Sequence, residues 1–308
     1  MLKILIALVT FLTLTLTPLH ASLLAEGSQK LQIKSPSTLI VDLDSKAIIY
    51  ERDADTQRPI ASLSKMVSAL VIQEHCQVLN PENADKLHQM SLENREAAKG
   101  GDKSKLTTSW QFSYRDLMHA ALMRSDNRAL PALGEACGLR NEQLADLMNE
   151  KVRQLGLKQT FFREPTGLSK ENVSTAREFM TVLEEVSKNP ELTAIMTKKE
   201  YVLTARKENR PPRLIKINST DRMLNKNIAR VLAGKTGYTD LARYCLAILL
   251  ESPQVSRLGM VFLGAEGRFT RFADVERTLK WLHSEKKRIS SVRFSRVSTK
   301  QRPTPTTL

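Results

Sequence analysis

Residues 58–72, RPIASLSKMVSALVI, decide how this chain is read. Pro59 precedes a helix whose apolar face includes Met66, Leu70 and Val71, so Ser62 falls at or near the helix start and Lys65 follows one turn later. Residues i and i+3 share a helix face, which sets an amine beside a hydroxyl. Serine is a weak nucleophile until a base takes its proton. A lysine at its ordinary value near 10.4 is neutral in only about one molecule in a few thousand at pH 7. The pair is useful only if the amine is desolvated or set beside another cation, for which Lys235 is the candidate.

Two further runs follow in order. Ser125-Asp126-Asn127 comes after an apolar helical pattern (Leu117, Ala120, Ala121, Met123), and Lys235-Thr236-Gly237 enters a strand. An extended segment would point Ser125 and Asn127 to one side. Ser125 then suits proton relay and Asn127 a hydrogen bond to a substrate backbone. Lys235 brings charge, Thr236 a hydroxyl and Gly237 room for close approach, with the amides of Ser62 and Tyr238 as donors to an oxyanion. Each run is common alone: Ser284 to Lys287 also reads Ser-x-x-Lys, and Ser187 to Asn189 reads Ser-x-Asn. The ordered set carries the argument.

Around these motifs, residues 39–43 and 47–51 read as a hairpin, residues 65–188 as a helical block, and the segments from Tyr201 onward as short strands closed by a helix around Phe272 to His283. Strands from both ends of the domain flanking an inserted helical block imply a shared sheet. Lys3, the apolar run Ile4 to Leu16 and Ala21 read as a signal peptide over residues 1–21. The expected domain is 22–285, followed by a structureless tail, 286–308, with seven Lys or Arg and no acid. That tail holds about half of the +14 formal charge, so the basic part is the tail and not the domain. Export argues against a nucleic-acid partner and leaves weak contact of the tail with anionic envelope surfaces. Cys76, Cys137 and Cys245 permit at most one bridge and are expected as buried thiols. No HExxH or Cys-His ligand set occurs, so neither metal nor other cofactor is expected.

The motifs, together with IVDLDSKAIIYERDAD (40–55), REPTGLSKENVSTARE (163–178) and KTGYTDLARYCL (235–246), resemble the low-molecular-weight penicillin-binding proteins, the bacterial D-alanyl-D-alanine carboxypeptidase and endopeptidase family. The resemblance runs from Leu39 to His283. It implies an α/β fold of the β-lactamase/DD-peptidase (transpeptidase-like) type, an antiparallel sheet flanked by helices with an inserted, mostly helical lobe. It also implies a periplasmic serine peptidase with Ser62 as the acylated nucleophile and Lys65 as its base. Peptidoglycan stem peptides would be its substrates and β-lactams its covalent inhibitors. The flow of residues 163–178 and of RFADVERTLKWL (271–282) looks most like the type-7 endopeptidase branch, which cuts D-alanyl-diaminopimelate cross-links; a carboxypeptidase is the alternative. Arg271 could meet a substrate carboxylate, with a surface arginine as the plainer expectation.

The chain departs from the family pattern at Ala242-Arg243 and Ser219-Thr220-Asp221. A class A β-lactamase shares the motifs and a Glu-Pro pair, here Glu164-Pro165, but expects an asparagine where this chain has Leu168. Slow β-lactam deacylation is therefore expected. A non-catalytic envelope binder is a further, less favoured alternative.

Overall fold

The structure, a computed structural model, describes residues 31–101 and 104–299. The segment expected to be a signal peptide, residues 1–21, lies outside the described residues. The chain opens with strands β1 (Ser37–Asp42), β2 (Ile48–Arg52) and β3 (Arg58–Pro59), then a 3-10 turn, Ala61–Leu63, that runs into helix α1 (Ser64–Cys76). Next come β4 (Leu87–Gln89), α2 (Leu92–Ala97), β5 (Gln111–Ser113), α3 (Tyr114–His119) and a π-helical turn, Ala120–Arg124. Helices α4 (Ala129–Ala136) and α5 (Asn141–Gln154), strand β6 (Val173–Ser174), and helices α6 (Ala176–Ser187) and α7 (Pro190–Met196) complete the inserted lobe. The chain then forms β7 (Glu200–Lys207), β8 (Arg210–Asn218), β9 (Arg230–Thr239), β10 (Arg243–Glu251), β11 (Leu258–Ala265) and α8 (Thr270–Thr299).

Five strands make the main sheet in the order β2-β1-β11-β10-β9, with every pairing antiparallel. Strands from both ends of the chain thus share one sheet, and β9, which carries Lys235 to Gly237, is left at its edge. Alternation along the central strands feeds two cores. Ile40, Leu246, Ile248, Leu250, Met260 and Phe262 pack with Phe272, Val275 and Leu279 of α8. Ala247, Leu249, Val261 and Leu263 face the helical lobe. Burial on both faces explains why β10 and β11 read as nearly continuous apolar runs.

Helix α1 is the pillar of the second core. Ser64 through Gln73 are all buried, so it is covered on every side and not along one stripe as expected. Two other expectations change. Cys76, at the end of α1, and Cys137, just past α4, form a disulfide, because the two helix ends lie side by side with Cα atoms 6.0 Å apart. Cys245 is the free, buried thiol. The expected boundary at residue 285 falls inside α8, whose helical backbone continues to Thr299; residues 300–308 lie outside the described residues.

Candidate active site

The 3-10 turn places Ser62 at the mouth of α1. Ala61, immediately before it, has φ +49 although it is not glycine, a backbone state that surrounding structure must enforce. Two glycines enforce it. A Cβ built on Gly167 would lie 2.0 Å from Ala61 O and 2.7 Å from Ser62 N. One on Gly237 would lie 2.9 Å from Ile60 O and 3.1 Å from Ser62 N. The room that Gly237 provides is thus filled by the serine turn itself, a closer neighbour than the substrate chain expected there.

Lys65 is wholly buried and makes three contacts through Nζ: Ser62 Oγ at 2.9 Å, Asn127 Oδ1 at 2.6 Å and the Thr166 carbonyl at 2.5 Å. Burial pushes its amine down to about 8, against an opposing pull from Glu164 and Asp126. Of the two causes expected, desolvation and the charge of Lys235, desolvation is the dominant one.

The loop 163–172 supplies partners that sequence reasoning missed. Glu164 turns back on its own loop, accepting from the amides of Thr166, Gly167 and Ser169 at 2.6, 2.7 and 3.1 Å and from Thr166 Oγ1 at 2.6 Å. Buried Asn172 donates to Glu164 O and Ser64 Oγ, and Ser68 Oγ donates to Pro165 O, which straps the loop onto α1. Two carbonyls, those of Pro165 and Thr166, are thereby aimed at α1. The Pro-Thr-Gly run signals a turn, but nothing in it signals which helix the turn grips.

The second motif reaches the cleft by a route other than the extended one expected. The π-helical turn ends at Ser125, which is left-handed (φ 63), and Asp126 tethers the adjoining backbone by accepting from Ser104 Oγ, Lys105 N and Arg128 N. This bend brings Ser125 Oγ within 2.9 Å of Lys235 Nζ while Asn127 meets Lys65. Local excess turns of this kind mark functional sites. Thr220 then joins the second and third motifs, donating its amide to Met123 O at 2.9 Å and sharing a 2.6 Å hydroxyl contact with Thr236.

Lys235, 1% exposed, donates to Ser125 Oγ and to Thr236 O, each at 2.9 Å. Burial, then Lys65 and Arg271, push its amine well below the ordinary lysine value. Arg271 is corrected from surface residue to buried strut. Its Nη1 donates to Gly237 O at 2.8 Å, and its guanidinium lies 5.0 Å from the Tyr244 ring and 5.1 Å from that of Phe272. Tyr238 is half exposed, stacked on Tyr244 at 4.3 Å and bonded to Asp240. Arg243, one of the departures from the family pattern, lies on the interior strand β10 and pairs with Glu266.

Among the described residues no cluster of His, Cys, Asp or Glu is suited to hold a metal ion, and no helix is long and apolar enough to cross a membrane.

Comparison with known proteins agrees with this geometry. The chain is 31% identical over 284 residues to a D-alanyl-D-alanine endopeptidase of Pseudomonas aeruginosa, covering 91% of this chain and 88% of the relative. It is 30% identical over 257 residues to the corresponding endopeptidase of Escherichia coli, covering 83% and 79%. Among solved structures, a Streptomyces DD-transpeptidase superposes with a TM-score of 0.74 at 19% identity, over 83% of this chain and 99% of that one. At that identity the match speaks to the fold. The sequence model described as D-alanyl-D-alanine carboxypeptidase, peptidase family S11, matches residues 24–267, and the chain belongs to that family.

Proposed function

We propose that the protein is an exported, penicillin-sensitive serine DD-peptidase that opens D-alanyl-diaminopimelate cross-links in peptidoglycan through an acyl-enzyme on Ser62. The observation that carries this reading is the partner set of Lys65. A neutral amine has two N–H groups and one lone pair. Asn127 Oδ1 and the Thr166 carbonyl accept both N–H groups, so the lone pair is directed at the Ser62 hydroxyl 2.9 Å away. Ser62 Oγ gives its proton to Lys65 as it bonds to the D-alanyl carbonyl carbon, and the amides of Ser62 and Tyr238 receive the oxyanion. When the C–N bond breaks, Ser125 passes a proton to the leaving amine; water then hydrolyses the ester by the reverse path.

Strand β9 has an unpaired edge, which suits an extended peptide laid along it, with Lys235 and Thr236 meeting a substrate carboxylate and Asn127 the backbone. The role expected of Arg271, contact with that carboxylate, becomes support of the Gly237 carbonyl. The disulfide supports work in an oxidising compartment, in keeping with a periplasmic address. We also keep the basic tail as a weak contact for anionic envelope surfaces.

Glu164 speaks against a β-lactamase. Its oxygens are spent on three loop amides and a hydroxyl, which leaves no carboxylate free to activate a deacylating water. Fluorescent penicillin is expected to label the purified protein durably, and Ser62→Ala to lose the label entirely. Digestion of separate cross-linked and uncross-linked muropeptides distinguishes the branches. Monomers released from dimers are expected, and loss of terminal D-alanine alone would assign a carboxypeptidase instead.

A further inference from the structure

The mechanism leaves one buried carboxylate beside strand β9 without a task. Asp221 is 2% exposed, and its Oδ1 caps the 3-10 turn Arg222–Asn225 by accepting from Met223 N at 2.9 Å. Its Oδ2 is buried with no hydrogen-bond partner. That oxygen lies against β9, 2.7 Å from where a Cβ on Gly234 would stand, one residue before Lys235. Its sequence neighbour Thr220 is bonded to Thr236, one residue after Lys235. The segment therefore backs the lysine on both sides.

Two cations act electrostatically on this carboxyl, Arg271 from α8 and Lys235 from β9, whereas β10 presents the apolar Ile248 beside it. Arg222, on Asp221's own turn, is exposed and lies over the Phe269 ring, and exposed Arg268 acts on Arg271. Lys235 thus has burial, Lys65 and Arg271 all driving its proton off, and Asp221 is the acid that opposes them. Burial pushes the Asp221 carboxyl up to about 6 in spite of both cations. A bare carboxylate in such a place is costly unless its charge acts on something.

Resting on the DD-peptidase reading above, we propose that Asp221 is a positioning residue: from behind β9 its carboxylate is the counter-charge that keeps Lys235 an ammonium in the company of Lys65 and Arg271, and so able to grip the carboxylate of a substrate. Asp221 touches neither substrate nor reacting atoms. With its charge removed, Lys235 sheds its own proton at a lower pH, and the grip weakens at neutral pH. The bond-making chemistry at Ser62 is untouched.

The test pairs two acylating agents on the purified full chain: fluorescent penicillin, which carries a carboxylate, and a D-alanyl thioester whose leaving group ends in a carboxamide. Asp221→Asn keeps an oxygen for Met223 N and removes the charge. It is expected to slow penicillin acylation at pH 7 about tenfold while leaving the thioester within about twofold. In the unsubstituted protein the ratio of the two rates, from which the shared requirement for neutral Lys65 cancels, is expected to fall as rising pH takes the proton from Lys235. In the Asn variant that fall should come about one pH unit lower. Equal losses on both agents, no loss on either, or a fall at the same pH in both proteins would overturn the proposal, and if the Asn variant failed to fold, a ratio that stayed flat as the pH of the unsubstituted protein rose would do so. Absence of any penicillin labelling in the unsubstituted protein would instead bring down the DD-peptidase reading, and this inference with it.

Discussion

Lys65 and Lys235 share one cleft and are both almost wholly buried, yet their surroundings differ in kind. Lys65 has three oxygen partners, two of them carbonyl acceptors, and burial brings it to about 8. Lys235 has two partners, one of them the carbonyl of the next residue, and cationic neighbours in Lys65 and Arg271. The first amine is saturated and can only exchange a proton with Ser62. The second, as an ammonium, keeps a third N–H for an incoming anion. Because the two cations repel, their protons come off as a coupled set, which suits the proposed division of labour in which one lysine is the base and the other holds charge.

The contrast meets its severest test at Lys65. Arginine cannot give up its proton at working pH, so Lys65→Arg is expected to slow penicillin acylation by about a thousandfold or more in a stopped-flow or gel assay. In the unsubstituted protein the same rate should climb with rising pH and reach half its plateau near pH 8, because the reactive species is the neutral amine. A rate already at plateau by pH 6 would mean that Lys65 is not the base. At the other lysine, Lys235→Gln is expected to cost penicillin about a hundredfold, the worth of a charge-assisted hydrogen bond, and to cost the carboxamide thioester far less. Equal losses would erase the distinction between the two amines.

Smaller effects define the frame around the pair. Gly167→Ala sets a methyl 2.0 Å from Ala61 O at φ +88 and is expected to lower stability by about 2–4 kcal/mol. Gly138→Ala is its control, because φ +73 is equally left-handed but nothing lies within 4 Å, so only about 1 kcal/mol should go. Denaturant melts that found the two alike would remove the clamp on Ser62. Least affected in rate should be Cys76→Ala with Cys137→Ala. Acylation should stay within about twofold while stability falls by about 4 kcal/mol, the loop-closure worth of a bridge spanning 61 residues.

Legibility in the sequence tracks how local each cause is. The i, i+3 spacing of Ser62 and Lys65 is a property of one helical turn, and it appears as a 2.9 Å contact. The runs at 244–250 and 258–264 announce strands buried on both faces, and they are central in the sheet. Partners set by tertiary approach leave no such trace. That Thr166 offers its carbonyl to Lys65, across 101 residues of sequence, depends on Glu164 and Asn172 folding their loop onto α1. The backbone at Ser125 escapes a sequence reading because an αL residue after a π-helical turn brings a side chain round much as an extended segment would. Arg271 escapes it because a lone arginine in sequence reads as solvated, while Tyr244, Phe272 and Gly237 O enclose it in the fold. The disulfide is hidden for want of any local sign that α1 and α4 end together.

The glycine clamp bears on how antibiotic resistance could arise in such a target. Selection for a serine that reacts poorly with drug while still serving the cell wall cannot act by loosening the Ala61–Ser62 peptide, since Gly167 and Gly237 admit no added methyl on either flank. The rim is under less constraint, because Tyr238 is half exposed and bonded to Asp240 and stacked on Tyr244. Substitutions at residues 238–244 are therefore better tolerated by the serine turn than any at the two glycines.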